Sequence, residues 1–312
     1  MTALTPDPPG GVTLAELSRR DGRTATDAVM HRSLGAAAGL SILISLLIIG
    51  VLLGDALSFA SKTTLRELGA NSWSPARGNY GVMSPLLGTL WVTLVATAIA
   101  GPIGLGAAIY LSEYASGRVR KVVKPVIEVL ASIPSVVVGY FAFRFIAPEI
   151  TQRIFSGSPT ANLLVAGLGV GLLTIPLMTS VSEDALRAVP SSLREASYGI
   201  GAKKITTVVR IVVPAAVSGL VAGVILTISR AIGETMVVLL AGGLRPSVPG
   251  SPLDSGLTIT SAMTSVVGGG SDSVQGGKGY ESIFFLGLLL FLITLALNLF
   301  ANRFVRRVRQ TY

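Results

Sequence analysis

The sequence predicts an all-α membrane protein with six transmembrane helices, and three observations carry that reading. Only 13% of its 312 residues are charged while 50% are hydrophobic, against roughly 25% charged in soluble domains. A soluble chain this poor in charge could not cover its surface, and the mean hydropathy of +0.69 agrees. Six apolar stretches reach the roughly twenty residues a helix needs to cross the hydrocarbon core. Lys and Arg, finally, collect in alternate connecting segments, as in loops retained on the cytoplasmic side.

The elements follow in order. Residues 1–32, with Pro6, Pro8, Pro9 and charges up to Arg32, form a cytoplasmic N-terminal tail. The apolar stretch behind them lacks a small-residue cleavage pattern and reads as a first span, not a signal peptide. The transmembrane domain covers 33–302, with spans at 34–54, 84–112, 125–147, 161–181, 214–241 and 282–302. The second span contains Gly101-Pro102 and is expected to bend or be interrupted there. Gly101, Gly104 and Gly106 are expected to permit close helix packing. Glu128, Pro134 and Arg144 fall in the third span, and Arg230 and Glu234 in the fifth. Each such charge needs an interior partner or a water-filled face. Glu128 and Arg144, near opposite ends of their span, can instead reach the interface.

Counting Lys and Arg orients the chain. The N-terminal tail, second loop, fourth loop and the basic tail 303–312 hold 17, the alternate loops only 6. Both termini are therefore expected in the cytoplasm. The fourth loop, 182–213, is rich in charge and helix formers. The fifth, 242–281, is rich in Gly, Ser, Pro and Thr and reads as a flexible or irregular surface on the opposite side.

Composition excludes several chemistries. With no cysteine there is no disulfide, thiolate metal site or thiol nucleophile. A single histidine, His31, is too little for an imidazole metal site or a Ser-His triad. The net charge of +9 lies between apolar blocks, without the aromatic interleaving of single-strand binders, so nucleic acid is not expected as a partner.

The fourth loop carries the most specific pattern. Leu193, Ala196 and Ile200 are spaced to share one face of a short helix. Gly201 would stop that helix, Lys203 and Lys204 follow where the helix dipole favours cations, and Pro214 suits the first turn of the next span. A short extramembrane helix exposing small and apolar groups is a plug for a groove on a soluble partner. Glu195-Ala196-Ser197, Gly201, Ile211 and Pro214 resemble the EAA loop of ABC-importer permeases, with Ser197 and Val213 as departures. The resemblance implies the type I ABC importer permease architecture, in which this coupling helix docks on an ATPase subunit. It assigns ATPase coupling to Glu195, Ala196, Ser197, Gly201, Ile211 and Pro214.

The fifth span holds Ser229-Arg230-Ala231-Ile232-Gly233-Glu234-Thr235-Met236. Arg230 and Glu234, four apart, face one side of a helix. An isolated Arg at mid-bilayer costs at least about 2.5 kcal/mol, offset by pairing and by a water-filled pathway. A guanidinium suits a tetrahedral oxyanion, to which it donates two parallel hydrogen bonds. Glu234 would hold the Arg and keep the empty site from binding anions too tightly. Ser229 and Thr235 complete the expected substrate pathway. An alternative is an intrahelical salt bridge that only fixes packing.

This stretch, with Pro176, Val189-Pro190 and Leu193-Arg194-Glu195-Ala196, is similar to Pst-type phosphate importer permeases. Gly233-Glu234-Thr235-Met236, Ala108-Ile109-Tyr110-Leu111-Ser112-Glu113-Tyr114 and Ile133-Pro134-Ser135-Val136-Val137 resemble the C-type subunit more than the A-type. The likeness implies phosphate import into the cytoplasm across the bacterial inner membrane. The implied partners are an A-type second permease, forming a heterodimer, two ATPase subunits, an extracytoplasmic phosphate-binding protein and membrane lipid. No cofactor is expected in this chain, since ATP and Mg belong to the ATPase subunits. The nearest approach to a phosphate-binding loop, Gly276-Gly277-Lys278-Gly279, has Asp272 and Gly279 where Gly and Ser or Thr are needed. Competing readings are a permease for sulfate, molybdate or an organic solute, an ion-coupled secondary transporter, and a membrane scaffold. The secondary transporter would leave the EAA pattern unexplained, and the scaffold would leave Arg230 an unmotivated cost.

Overall fold

The computed structural model describes residues 21–268 and 277–308. Parts of the predicted tails (1–20 and 309–312) and of the fifth loop (269–276, including Asp272 and Gly276) lie outside the described residues. The chain separates into two units, up to Val51 and from Leu52 onward. The first is helical throughout its described part, as the beginning of α1 (Asp21–Ser61).

In the second unit, α2 (Met83–Ile109) packs along α5 (Leu163–Arg187) over most of its length. Missing side chains permit the approach. A Cβ on Gly104 would fall 2.7 Å from the Met178 side chain, and one on Gly167 would fall 2.6 Å from Val95. Gly101 and Gly106, expected to share this role, face open space. Gly101-Pro102 does not interrupt α2. Above these contacts Val92, Ala96, Ala142, Ile146, Val170 and Val237 form the main core.

The predicted third span is two helices. α3 (Gly117–Ala131) ends before Pro134, and α4 (Ser135–Phe141) continues through a widened turn, Ala142–Thr151, to Ile154. The two parts meet at 87°. Proline supplies the reason: it pushes the preceding residue out of the helical region. α3 buries no residue. Glu128 lies on α3, before the bend, lining a cavity of about 510 Å³ with Arg120, Lys121, Lys124 and Arg187. Arg144 is exposed on the widened turn.

Two further boundaries shift. Helix begins at Lys204, before Pro214, and passes a widened turn at Val208–Val212 before α7 (Val213–Ile232). Proline cannot donate to the carbonyl four residues back; the wide turn, with Val213 N–H reaching Val208 O, absorbs that mismatch. α7 then stops within the predicted fifth span and resumes as α8 (Met236–Ala241). In the fifth loop, expected to be flexible or irregular, Ile259–Gly268 forms α9 and buries Ile259, Thr260, Ser261 and Ala262. α10 (Lys278–Val308) completes the bundle.

Among the described residues five helices are long and apolar enough to cross a membrane, or six if the bent pair counts as one span. At one end of the bundle Trp73 and Tyr80, paired in a two-stranded hairpin, cluster with Phe59, Leu257, Ile259 and Leu286. At the other, Ala108, Leu186, Val189, Val212 and Leu220 form a second cluster beneath the fourth loop.

Candidate functional site

Two places gather the predicted residues. The first is the gap between α7 and α8. Glu234 is 2% exposed, with its Oε2 accepting from Arg230 Nη1 at 2.9 Å. Its Oε1 lies 3.5 Å from the Val237 N–H, and its backbone carbonyl accepts from Thr260 Oγ1 at 2.6 Å. The carboxylate is thus held from both sides of the break, and α9 holds the Glu234 backbone. Arg230, by contrast, keeps 49% of its side chain exposed. Thr235 sits at the break, half-buried, with Oγ1 donating to Gly233 O at 3.4 Å. Ser229 turns elsewhere, toward Asn298 of α10 at 3.4 Å. The structure therefore brings Arg230, Glu234 and Thr235 together and leaves Ser229 out.

The break in α7 adjoins the break before α4. A Cβ on Gly139 would meet the Val237 Cα at 3.0 Å and Met236 O at 3.1 Å, so α4 and α8 touch through their backbones. Both half-helices begin within about one turn of that contact. An apolar cavity of about 400 Å³ lies beside the first break, lined by Leu130, Ile133, Val137, Phe141, Leu172 and Pro176. Its walls offer an oxyanion nothing to bind; the charged group is Arg230.

The second place is the fourth loop, 182–213, whose residues were expected to couple to an ATPase. α6 (Ser191–Gly199) starts after Pro190 and closes with Gly201 at φ +82°. Gly201 N–H reaches Tyr198 O at 2.9 Å and Ala202 N–H reaches Ser197 O at 3.1 Å. Those two bonds define a left-handed glycine cap. Glu195, Ala196, Tyr198 and Ile200 are exposed, Ile200 at 85%. Leu193, predicted to share the exposed face, instead packs into the cluster with Leu186 and Val189. Ser197 also points inward, bonded to Thr207 at 2.8 Å. Helical period predicted a face; which face was settled by the cluster beneath. Ile211 lies half-buried in the widened turn, and Pro214 is exposed at the start of α7.

The loop end also holds polar contacts that sequence reasoning missed. Arg194 turns inward to Glu113, with Nη2 to Oε1 at 2.8 Å. Glu183 of α5, 1% exposed, is in ion-pair contact with Arg120 and lies 3.2 Å from Lys124, both on α3. Lys204 stands 4.9 Å over the Tyr114 ring. No local spacing announces these pairs, because the partners are dozens of residues apart.

A bundle with broken spans, a half-exposed intramembrane arginine and a capped extramembrane helix has the features of a transport permease. Residues 100–310 match the family described as the inner membrane component of binding-protein-dependent transport systems, and the chain belongs to that family. It is accordingly a multi-pass inner-membrane transport component. Within the family it groups with PstC-type permeases. It is 32% identical over 304 residues, 91% of each chain, to the phosphate transport system permease protein PstC of Mesorhizobium japonicum. It is 32% identical over 257 residues, 77% of this chain and 80% of the relative, to PstC of Haemophilus influenzae. In fold it is similar to a chain of a bacterial ABC transporter involved in the import of alginate, with a TM-score of 0.64. That match has 16% identity and covers 92% of this chain and 100% of the other. The architecture is that of a type I ABC importer permease.

Proposed function

We propose that this chain is the permease subunit through which an ATP-driven importer moves inorganic phosphate into the cytoplasm. The observation that carries the reading is the asymmetry at the α7 break. Glu234 is 2% exposed and bonded on several sides, while Arg230, whose hydrogen-bond partner among the described residues is Glu234, keeps 49% of its side chain exposed. A guanidinium held this way is pre-oriented for a tetrahedral oxyanion and needs little reorganisation to bind it. Resemblance to PstC permeases over nearly the whole chain supports phosphate as that oxyanion.

In this reading both termini and the coupling loop face the cytoplasm, as the Lys and Arg asymmetry indicates. The chain pairs with an A-type permease, two ATPase subunits and an extracytoplasmic phosphate-binding protein. The exposed groups of α6, Glu195, Ala196 and Ile200, fill a groove on an ATPase subunit; ATP and Mg act there. Closure of the ATPases swings α6, the paired permeases open outward, and phosphate released by the binding protein passes Arg230. Hydrolysis restores the inward-facing state.

Uptake of labelled phosphate, sulfate and molybdate by phosphate-starved cells lacking the gene, then with it restored, tests the reading. Loss and recovery of phosphate uptake alone is expected. Loss of another anion with phosphate uptake intact would overturn the substrate.

A further inference from the structure

We propose that Arg194 and Glu113 form the joint that makes α6 one rigid piece with α2 and α5, so that its movement reaches the spans. The inference rests on the reading of α6 as a coupling helix. α6 has nine residues and buries only Ser197. A helix that short has little stability of its own, and one buried hydroxyl with the half-buried Leu193 holds its direction only loosely. Polar contacts must fix it.

Arg194 supplies them. Its Nε and Nη2 reach the two oxygens of Glu113 at 3.4 and 2.8 Å. Nη1 donates to Val189 O at 2.7 Å, and Nη2 also donates to Leu186 O at 2.8 Å. Those carbonyls belong to the end of α5 and the turn after it, where helix carbonyls lack internal donors and negative charge accumulates. Glu113 sits in the widened turn Tyr110–Tyr114 that ends α2, also accepts from Ser112 Oγ at 3.1 Å, and is 5% exposed. One planar group therefore joins three elements. Lysine could not replace it, having a point charge and no fork to satisfy a carboxylate and two carbonyls together. The neighbouring Tyr114 receives Lys204 from the far side of the loop. Both ends of the coupling loop are thus anchored to the same turn of α2. Arg194 acts through α6 and is a positioning residue.

The test uses the complete transporter in proteoliposomes, with phosphate uptake and ATP hydrolysis measured together. ATP-driven phosphate uptake by the unaltered complex checks the functional reading on its own; if another anion is carried, the same ratio is taken with that anion. For Arg194→Ala and Glu113→Gln we expect hydrolysis to continue while phosphate moved per ATP falls about fivefold or more, the scale of typical coupling energies. Arg194→Lys should fall between. Because the chain has no cysteine, a Glu113→Cys, Arg194→Cys double variant can be bridged with a short bifunctional thiol reagent. Its ratio should be low before bridging and rise after it. A ratio unchanged in the variants, or one that bridging fails to raise, overturns the joint. So does loss of assembled complex that bridging restores without restoring the ratio, which would make Arg194 a folding cap only.

Discussion

Arg230 and Glu234 are bonded at 2.9 Å yet sit in different surroundings, the Glu234 side chain 2% exposed and that of Arg230 49%. Removing either partner therefore has unequal results. Arg230→Ala strands a buried carboxylate, and should cost about 1–3 kcal/mol, less than a fully buried pair because the guanidinium side is wet. It should also lower phosphate uptake about tenfold or more, the loss of a charged hydrogen bond to substrate. Adding Glu234→Gln to Arg230→Ala should recover thermal stability in detergent without recovering uptake. Recovery of both would return the pair to a packing role.

On α6 the inward and outward faces separate folding from docking. Ser197→Ala leaves Thr207 Oγ1 with only its 3.3 Å bond to Lys203 O, a loss of about 1 kcal/mol. Ile200 is 85% exposed, so Ile200→Asp should cost only about 0.3 kcal/mol, from a negative charge at the C-terminus of α6. Co-purification with the ATPase should show the reverse order, with Ile200→Asp losing the partner and Ser197→Ala retaining it. Equal retention by both would remove Ile200 from the docking surface.

Glu183 is the anchor of α3, since that helix buries nothing and meets α5 through Arg120 and Lys124. Arg120→Ala leaves the carboxylate with Lys124 and the more distant Arg187 at 4.0 Å. The expected penalty is about 2 kcal/mol, below the fully buried range because both cations of α3 keep some water. Glu183→Gln combined with Arg120→Ala should cost less than the sum of the two single changes. Strict additivity in unfolding midpoints would show that the contact carries no coupling.

At the hairpin end, a hydrogen bond from Lys278 at 2.8 Å holds the Glu67 carboxyl below its ordinary value of 4.5. With a depressed folded value, the unfolded chain binds the proton first as pH falls. The pair's stabilisation is therefore complete above pH 4.5 and lost as pH falls through the folded value. Glu67→Gln should unfold at a slightly lower temperature than the parent near neutral pH, and the gap should close on acidification. A gap that stays constant would mean the proton plays no part.

Much of the fold was legible because lipid demands long apolar runs, and α2, α5 and α10 follow them. The interruptions were harder. Pro134 sat in view within a run long enough to hide a right angle, while the stop after Ile232 has no proline to announce it. The helix at Ile259–Gly268 was masked by the surrounding Gly and Ser, although its burial brings Thr260 to Glu234. At the site, the Arg230–Glu234 pair could be read from i,i+4 spacing, and Gly201 from the cap it forms. Arg194–Glu113 and Arg120–Glu183 could not, because tertiary packing alone brings those partners together. Ser229 was included by adjacency, which on a helix means facing another direction.

The right angle at Ser132–Pro134 has a mechanical consequence. From Ser135 to Ile154 there are enough residues to cover about 30 Å, the thickness of the hydrocarbon layer. That stretch suffices for a crossing without α3, so Arg118, Arg120, Lys121 and Lys124 of α3 need not enter the hydrocarbon. With α3 outside the hydrocarbon, a change in its tilt would not drag Arg120 or Lys124 through oil and would meet no charge-burial barrier. Steep voltage dependence of transport is not expected from such a tilt.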